Sequence, residues 1–184
     1  MEVANGVQTN GQRFPTWNPV LFQPSSGPLL LFYKVGPTPR DWWGMLTTSP
    51  DHGRTWTAPT RLQDGILGPI KNKPVELHDG TILCGSSTEH DGWRVHFEWT
   101  SDLGRSWGRT EPLNDGHSIG AIQPGIGYDG ASGLQAWVRT RQGRIYTFQG
   151  QPDGRRWGPA MATDLPNPNS GLDVVRLRHD PRTL

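Results

Sequence analysis

The feature that most constrains this sequence is an eight-residue motif, the octet, which occurs three times at nearly equal intervals. The copies are residues 49–56, 100–107 and 150–157. Each copy ends on a Trp with a Gly three residues before it. The first two also carry Asp five residues before the Trp and Ser or Thr seven residues before it. In the third copy Pro152 occupies the Asp position and Asp153 follows it. A fixed period near 50 residues indicates a repeat architecture.

The chemistry of the octet predicts a hairpin turn. An Asp carboxylate in such a turn accepts hydrogen bonds from backbone N–H groups a few residues on, and Gly adopts the positive φ that the turn requires. The Trp then packs into apolar space, where burial removes roughly 150–250 Å² from water, or roughly 4–6 kcal/mol as an upper bound. We interpret the octet as a structural anchor rather than a binding site.

Between the octets, short apolar runs bounded by Gly, Pro, Asp or Asn predict β-strands, and helical periodicity is nearly absent. Aligned on the octet, each repeat has three such runs before it and room for a short strand after it. The first strands are predicted at 19–22, 74–77 and 124–127, the second at 29–33, 81–84 and 134–138, and the third at 44–48, 94–99 and 144–148. Four antiparallel strands per repeat are typical of a propeller blade. We therefore predict an all-β fold, a β-propeller of four-stranded antiparallel blades.

The repeats divide the chain into one domain, 1–184, with blades at about 17–66, 67–116 and 117–166 and the start of a fourth at 167–184. The last residues resemble the first hairpin of an earlier repeat. Because propellers typically have four to eight blades, about three and a third blades predict a fragment of a longer polypeptide. The alternative is self-association with a second copy.

Composition and charge exclude several classes of protein. The 184 residues suffice for one core, and a net charge of +1 with scattered basic residues argues against nucleic acid. A long apolar stretch is missing, so no membrane span is expected. The first 14 residues contain no apolar leader, so no signal peptide is visible; the location would be cytoplasmic only if Met1 is the true start. The single Cys84, in an apolar run without metal-ligand spacing, predicts a buried filler. We therefore expect no internal disulfide, no metal and no cofactor.

In a propeller, the loops between second and third strands and the segments before first strands gather at one end of the channel. Polar residues concentrate in these places, where several cations would suit an acidic substrate and the carboxylates would transfer protons. The alternative is a solvated surface with local ion pairs. The candidate catalytic residues are Asp41, Glu89, His90 and Asp91, and the candidate substrate-binding residues are Lys71, Lys73, Arg94, Arg139, Arg141 and Asn169.

The octets resemble the Asp boxes, or BNR repeats, of the sialidase (neuraminidase) superfamily. Residues 18–31, 65–107 and 167–171 resemble its predicted-neuraminidase, BNR-repeat-like branch. The resemblance implies a six-bladed propeller that cleaves a terminal acidic sugar with an arginine triad, an acid/base Asp and a Tyr–Glu nucleophile. It implies that Arg139 is the second arginine of the triad and that Asp41 is the acid/base residue. The sequence departs from this pattern because Lys73 replaces a Glu, an Arg-Ile-Pro-type segment is missing, and the blades for the third arginine and the Tyr lie outside it.

We therefore expect a sialidase-like glycoside hydrolase, exo-acting on a terminal acidic sugar such as sialic acid, with a carbohydrate as its partner. One alternative is another carbohydrate-active propeller, either a rhamnosidase-type hydrolase or a polysaccharide lyase. A lyase would use a base such as His90 beside a uronate carboxylate. The other alternative is a carbohydrate-binding propeller without catalysis.

Overall fold

The computed structural model describes residues 2–129 and 133–175, and these residues form twelve β-strands and no helix. The strands are β1 (Thr16–Phe22), β2 (Leu29–Val35), β3 (Trp43–Ser49), β4 (Thr60–Arg61), β5 (Val75–Glu76), β6 (Ile82–Thr88), β7 (Arg94–Thr100), β8 (Gly108–Arg109), β9 (Ala121–Asp129), β10 (Gly133–Thr140), β11 (Arg144–Gly150) and β12 (Met161–Pro166). Each predicted strand overlaps one of these, and a fourth strand follows the Trp of each octet. The strand predictions are thus confirmed.

The strands form three antiparallel sheets, each made of four strands that are consecutive in the chain. Each sheet is one blade of a β-propeller: β1 to β4 form the first, β5 to β8 the second and β9 to β12 the third. Since strands alternate in direction, the octets lie at one end of the blades, and the loops between second and third strands lie at the other end.

The first octet forms the predicted turn. The Ser49 hydroxyl accepts a hydrogen bond from the Gly53 amide (2.7 Å), and the Asp51 carboxylate accepts bonds from the Thr55 amide and hydroxyl (both 2.7 Å). The second octet repeats this arrangement with Thr100, Gly104, Asp102 and Ser106 in the same order. In both copies the side chains bond to N–H groups that the turn leaves without a strand partner, which stabilises the hairpin.

The third octet lacks this network but keeps the anchor. The carboxylate of Asp153 accepts a bond from the Arg155 amide at 3.0 Å. The indole nitrogen of Trp157 nevertheless donates to the Gly154 carbonyl at 2.8 Å. The Trp of the first and second octets makes the same bond, at 3.1 and 3.0 Å. The indole–carbonyl bond is thus common to all three copies, as expected of a structural anchor.

Each of the last two octets anchors its blade to the blade before it. Trp107 meets Phe32 of the first blade edge to face, with ring centroids 6.1 Å apart, and Trp157 stacks on Phe97 of the second blade at 3.8 Å. Apolar clusters fill both spaces between blades. Cys84 is buried in the cluster between the first and second blades, as predicted. Burial raises the pKa of its thiol well above the usual value.

The backbones of the second and third blades also approach closely. A Cβ atom at Gly85 in β6 would lie 2.5 Å from the Pro124 carbonyl oxygen of β9. Only glycine leaves room for this contact, which brings the start of the third blade's first strand against the second blade.

We predict that Asp102 makes the stability of the fold sensitive to acid. Hydrogen bonds from the Ser106 hydroxyl and amide lower the pKa of Asp102 to about 2, below the value of about 3.9 expected in the unfolded chain. The unfolded chain therefore binds the proton first, and stability falls as the pH drops from about 4 to about 2. Asp102→Asn should reduce the free energy of unfolding by about 1–2 kcal/mol at neutral pH. Urea titrations should show that this difference narrows in acid; a difference independent of pH would contradict the prediction.

The start of a fourth blade stays a prediction. Residues 171–175 form no strand, and residues 176–184, which carry the rest of that pattern, lie outside the described residues. Within the described part of the chain, no helix is long and apolar enough to cross a membrane.

Candidate functional site

A residue with a left-handed backbone lies near the start of each blade's first strand. It is the third residue of the strand in the first and third blades, and it precedes the strand by four residues in the second. These residues are Asn18, Lys71 and Gln123, with φ of 44°, 67° and 57°, and Asn169 at 61° precedes the segment 171–175. Residues other than glycine rarely adopt such backbone angles. Each such residue costs of order 1–3 kcal/mol, and these residues are concentrated at functional sites. These four residues lie at the end of the propeller opposite the octets. Two further residues with positive φ, His52 and Leu103 at 58° and 59°, lie in the first and second octets.

Three of these positions belong to a hydrogen-bonded group that we call the axial cluster: Lys71, Asn72, Gln123, Arg139 and Asn169. Arg139 is near the end of β10. Its Nε donates to Asn169 Oδ1 at 3.0 Å, and its Nη1 donates to Gln123 Oε1 at 3.3 Å. Asn72 Nδ2 donates to the Gln123 carbonyl at 2.8 Å. The axial cluster therefore joins residues from four segments of the chain: 71–72, 123, 139 and 169.

Two lysines lie on the segment that brings Asn72 to the axial cluster. Lys71 Nζ donates to Asn72 Oδ1 at 3.2 Å and to the Leu172 carbonyl at 2.6 Å. Lys73 is exposed to solvent. The sequence-predicted residues Lys71, Arg139 and Asn169 are thus brought together, and Lys73 is adjacent in the chain.

The Trp93 ring contacts two arginines, Arg139 of the axial cluster and Arg141. The guanidinium carbon of Arg139 lies 4.9 Å from the Trp93 ring centroid, and that of Arg141 lies 4.1 Å from it. The Trp93 side chain is 8% exposed. Stacking on a fixed ring orients guanidinium groups and leaves their N–H groups available for an anion.

Four cations at this end of the propeller, Lys71, Lys73, Arg139 and Arg141, form no ion pair with a carboxylate in the part of the chain that the structure describes. The ion pairs there involve Arg61, Arg94, His96 and His117. None involves Lys71, Lys73, Arg139 or Arg141. Such a group of positive charges attracts an anion, and arginine binds a carboxylate through two parallel hydrogen bonds.

Arg94 and Asp91, both predicted to be site residues, instead neutralise each other. Arg94 Nη2 is 2.6 Å from Asp91 Oδ2, and Arg94 Nε donates to the Asp115 carbonyl at 3.0 Å. Arg94 is the residue after Trp93, but these contacts direct its side chain to the connection between the second and third blades. The two residues thus form a local ion pair, and their role in a site stays a prediction.

Asp41 lies in the loop between β2 and β3, as the sequence predicts. Its carboxylate accepts a hydrogen bond from the Thr38 hydroxyl at 2.8 Å, and its amide donates to the Thr38 carbonyl at 3.0 Å. The side chain is exposed. Asp41 thus closes a turn at the end of the first blade while its carboxylate remains accessible to solvent.

Glu89 and His90 line a separate space, which we call the rim cleft. It lies between the first and second blades and has a volume of about 210 Å³. Its walls include two Trp and three Arg side chains: Trp42, Trp43, Arg40, Arg61 and Arg109. The structure thus places Glu89 and His90 in the rim cleft and Asp91 in an ion pair with Arg94, and the roles of these residues in a site stay predictions. In a tight turn neighbouring side chains diverge, so Glu89 and Asp91 have different surroundings.

The sequence reasoning missed Asn72, Gln123 and Trp93 as members or supports of the axial cluster. A signal for the first two exists, because aligning the repeats puts them next to the Pro-containing start of a first strand. Trp93 has no comparable signal, since its role depends on arginines that lie 46 and 48 residues later in the chain. Within residues 2–129 and 133–175, no group of three His, Cys, Asp or Glu side chains is arranged to hold a metal ion.

Comparison with known proteins supports the fold assignment. The model of the BNR repeat-like domain family matches residues 1–183. Among solved structures, a protein of unknown function from Dyadobacter fermentans has a TM-score of 0.74 at 15% identity, over 91% of this chain and 56% of that one. A Hadza microbial sialidase has a TM-score of 0.67 at 15% identity, over 83% and 34%. An α-L-arabinanase of Penicillium chrysogenum complexed with arabinobiose has a TM-score of 0.63 at 16% identity, over 84% and 51%.

At these identities the similarity establishes the fold, and the propeller prediction is confirmed. The chain spans between 34% and 56% of the length of these three structures. A search of curated proteins finds no sequence relative.

Proposed function

Since this chain belongs to the BNR repeat-like domain family, related by fold to sialidases and an arabinanase, we propose that the intact protein is a glycoside hydrolase. Its substrate is a glycan with a terminal acidic sugar, such as sialic acid. The observation that carries the proposal is the set of four cations, Lys71, Lys73, Arg139 and Arg141, for which the described residues offer no carboxylate partner. A sugar carboxylate supplies the missing charge.

In this proposal Arg139 and Arg141 bind the carboxylate, with Trp93 holding their planes. Lys71, Lys73 and Asn169 contact hydroxyl groups or the remaining charge. Asp41, which is exposed and accessible, exchanges the proton with the glycosidic oxygen. Glu89, His90, Asp91 and Arg94 are assigned to the outer part of the site, where the rest of the glycan leaves.

A second candidate is a propeller that binds acidic sugars without cleaving them. One observation favours it: no carboxylate of the described residues forms an ion pair with Lys71 or Arg139 of the axial cluster, and Asp41 and Asp91 already have partners on their own loops. Binding requires the cations alone, whereas cleavage also requires a carboxylate or another proton donor at the glycosidic oxygen.

The test compares methylumbelliferyl glycosides of N-acetylneuraminic acid and glucuronic acid with those of galactose and arabinose, each incubated with the intact protein. We expect release of the fluorophore from an acidic sugar and none from the neutral sugars. Binding of the free sugar acid in calorimetry without release would select the non-catalytic candidate. Release from the neutral sugars alone would refute both candidates.

A further inference from the structure

Two buried side chains of opposite charge lie between the first and second blades. Lys34 is on β2 and Glu98 is on β7, and both are 0% exposed. The other titratable groups facing them are His96, whose Nε2 is 2.8 Å from Glu98 Oε1, and Cys84 on β6. The axial cluster contains none of these residues.

Both charged side chains bind the segment that leads to Lys71. Lys34 Nζ donates to the Pro69 carbonyl at 2.9 Å. Glu98 accepts bonds from the Leu67 amide at 3.0 Å and from the Gly68 amide at 2.6 Å. The segment 67–70 is therefore held by one side chain from each blade, directly before the left-handed Lys71 and before Asn72.

Lys34 occupies a position that recurs in every blade. It lies five residues after Leu29, which pairs with Ser49 of the octet, and Ser87 and Arg139 occupy the same place relative to their own octets. Ser87 Oγ accepts a bond from the Gln123 amide at 3.3 Å, and Arg139 binds Asn169. In all three blades this position thus contacts the segment leading to the next blade.

The first blade differs because it uses a fully buried charge for this contact. Burial of an ion is costly, and apolar residues of similar volume often make a fold equally stable or more stable. Stability alone therefore does not explain why charged residues are buried at positions 34 and 98. Their shared contact is the short segment that carries Lys71 and Asn72.

We propose that Lys34 and Glu98 are positioning residues that hold the segment 67–72 in the conformation that brings Lys71 and Asn72 to the axial cluster. The effect on sugar binding rests on the proposed function, whereas the effect on the segment does not. Lys34 and Glu98 contact no substrate, and they act through the backbone of residues 67–70.

The bond from Lys34 to the Pro69 carbonyl also implies that sugar affinity depends on pH. Burial lowers the pKa of Lys34 to about 8, against the opposing influence of Glu98 and Cys84. Lys34 therefore loses its proton above about pH 8, and its bond to the Pro69 carbonyl then lacks the strength that the charge confers. Affinity for an acidic sugar should fall across this pH range in the native protein.

The test uses Lys34→Met and Glu98→Gln in the intact protein. Val138→Ala, in the core between the second and third blades, is a matched destabilised control. Amide hydrogen exchange at neutral pH should accelerate at Leu67, Gly68 and Asn72 in the first two variants and not in the control. The dissociation constant for N-acetylneuraminic acid should rise by about tenfold or more. It should also rise between about pH 7 and about pH 9 in the native protein and stay level in Lys34→Met.

Unchanged exchange in the segment, or equal acceleration in the control, would overturn the positioning role. A native pH dependence that persists in Lys34→Met would overturn the part assigned to its charge. If the native protein binds no sugar acid, the proposed function fails, and the exchange rates alone decide whether Lys34 and Glu98 hold the segment.

Discussion

Replacement of Arg139 by Ala should lower kcat/KM for a terminal acidic sugar by about 10²–10³-fold, or about 3–4 kcal/mol of transition-state stabilisation. The variant loses a charged, two-point contact with the carboxylate. It also removes the bonds to Gln123 and Asn169 that join the axial cluster. Steady-state kinetics with the fluorogenic sialoside measure the loss.

Arg156→Ala is the matched control, because Arg156 is an exposed arginine of the third octet at the opposite end of the same blade. It should leave kcat/KM unchanged. Arg139→Lys separates charge from geometry, since lysine keeps the charge but does not make the planar two-point contact. Its activity should fall between those of native protein and Arg139→Ala. Native activity in a folded Arg139→Ala variant would remove Arg139 from the site and would count against the proposed function.

Trp157→Ala should reduce the free energy of unfolding by about 3–5 kcal/mol, the usual effect of truncating a large aromatic side chain between packed elements. Trp157 stacks on Phe97 with centroids 3.8 Å apart and an interplanar angle of 10°. The Ala variant leaves a cavity between the second and third blades and removes the indole bond to Gly154. Urea denaturation followed by tryptophan fluorescence and circular dichroism measures the change.

Trp56→Ala is the comparison that tests why the octets stabilise the fold. Trp56 makes the same indole bond to its own turn, but in the described part of the chain it has no ring contact with another blade. Trp56→Ala should reduce the free energy of unfolding by less than half as much as Trp157→Ala does. Equal losses for the two variants would show that the anchors stabilise their own turns rather than the contact between blades.

The strands and octets were predictable because the information that determines them is local. The interactions that form an octet lie within eight residues. They are a Gly at positive φ, a carboxylate that accepts bonds from amides three or four residues ahead, and a Trp that donates to the Gly carbonyl. Even the third octet follows the pattern, since the Trp157 bond survives the loss of the Asp at Pro152. Repetition of this unit at a period near 50 residues was sufficient to predict the blades.

The site was predictable only in part. The sequence analysis placed the site at the end of the propeller where the loops between second and third strands meet the segments before first strands. This led to Lys71, Arg139, Arg141 and Asn169, which lie in or beside the axial cluster. The same reasoning grouped Glu89, His90 and Asp91, which the structure divides between the rim cleft and an ion pair with Arg94. Residues that are adjacent in a turn need not have the same neighbours in space. The backbone direction changes by a large angle from one residue of a turn to the next, so their side chains point to different places.

By itself, the sequence determined the blade, its four strands and the turn that closes its outer hairpin, since each depends on contacts within one repeat. Only the tertiary structure decided which charges are neutralised and which have no carboxylate partner among the described residues. That depends on how neighbouring blades pack: Trp93 of one blade against arginines of the next, and Lys34 and Glu98 against the segment between their blades. These contacts join residues about 30 to 50 positions apart, and no local pattern specifies them.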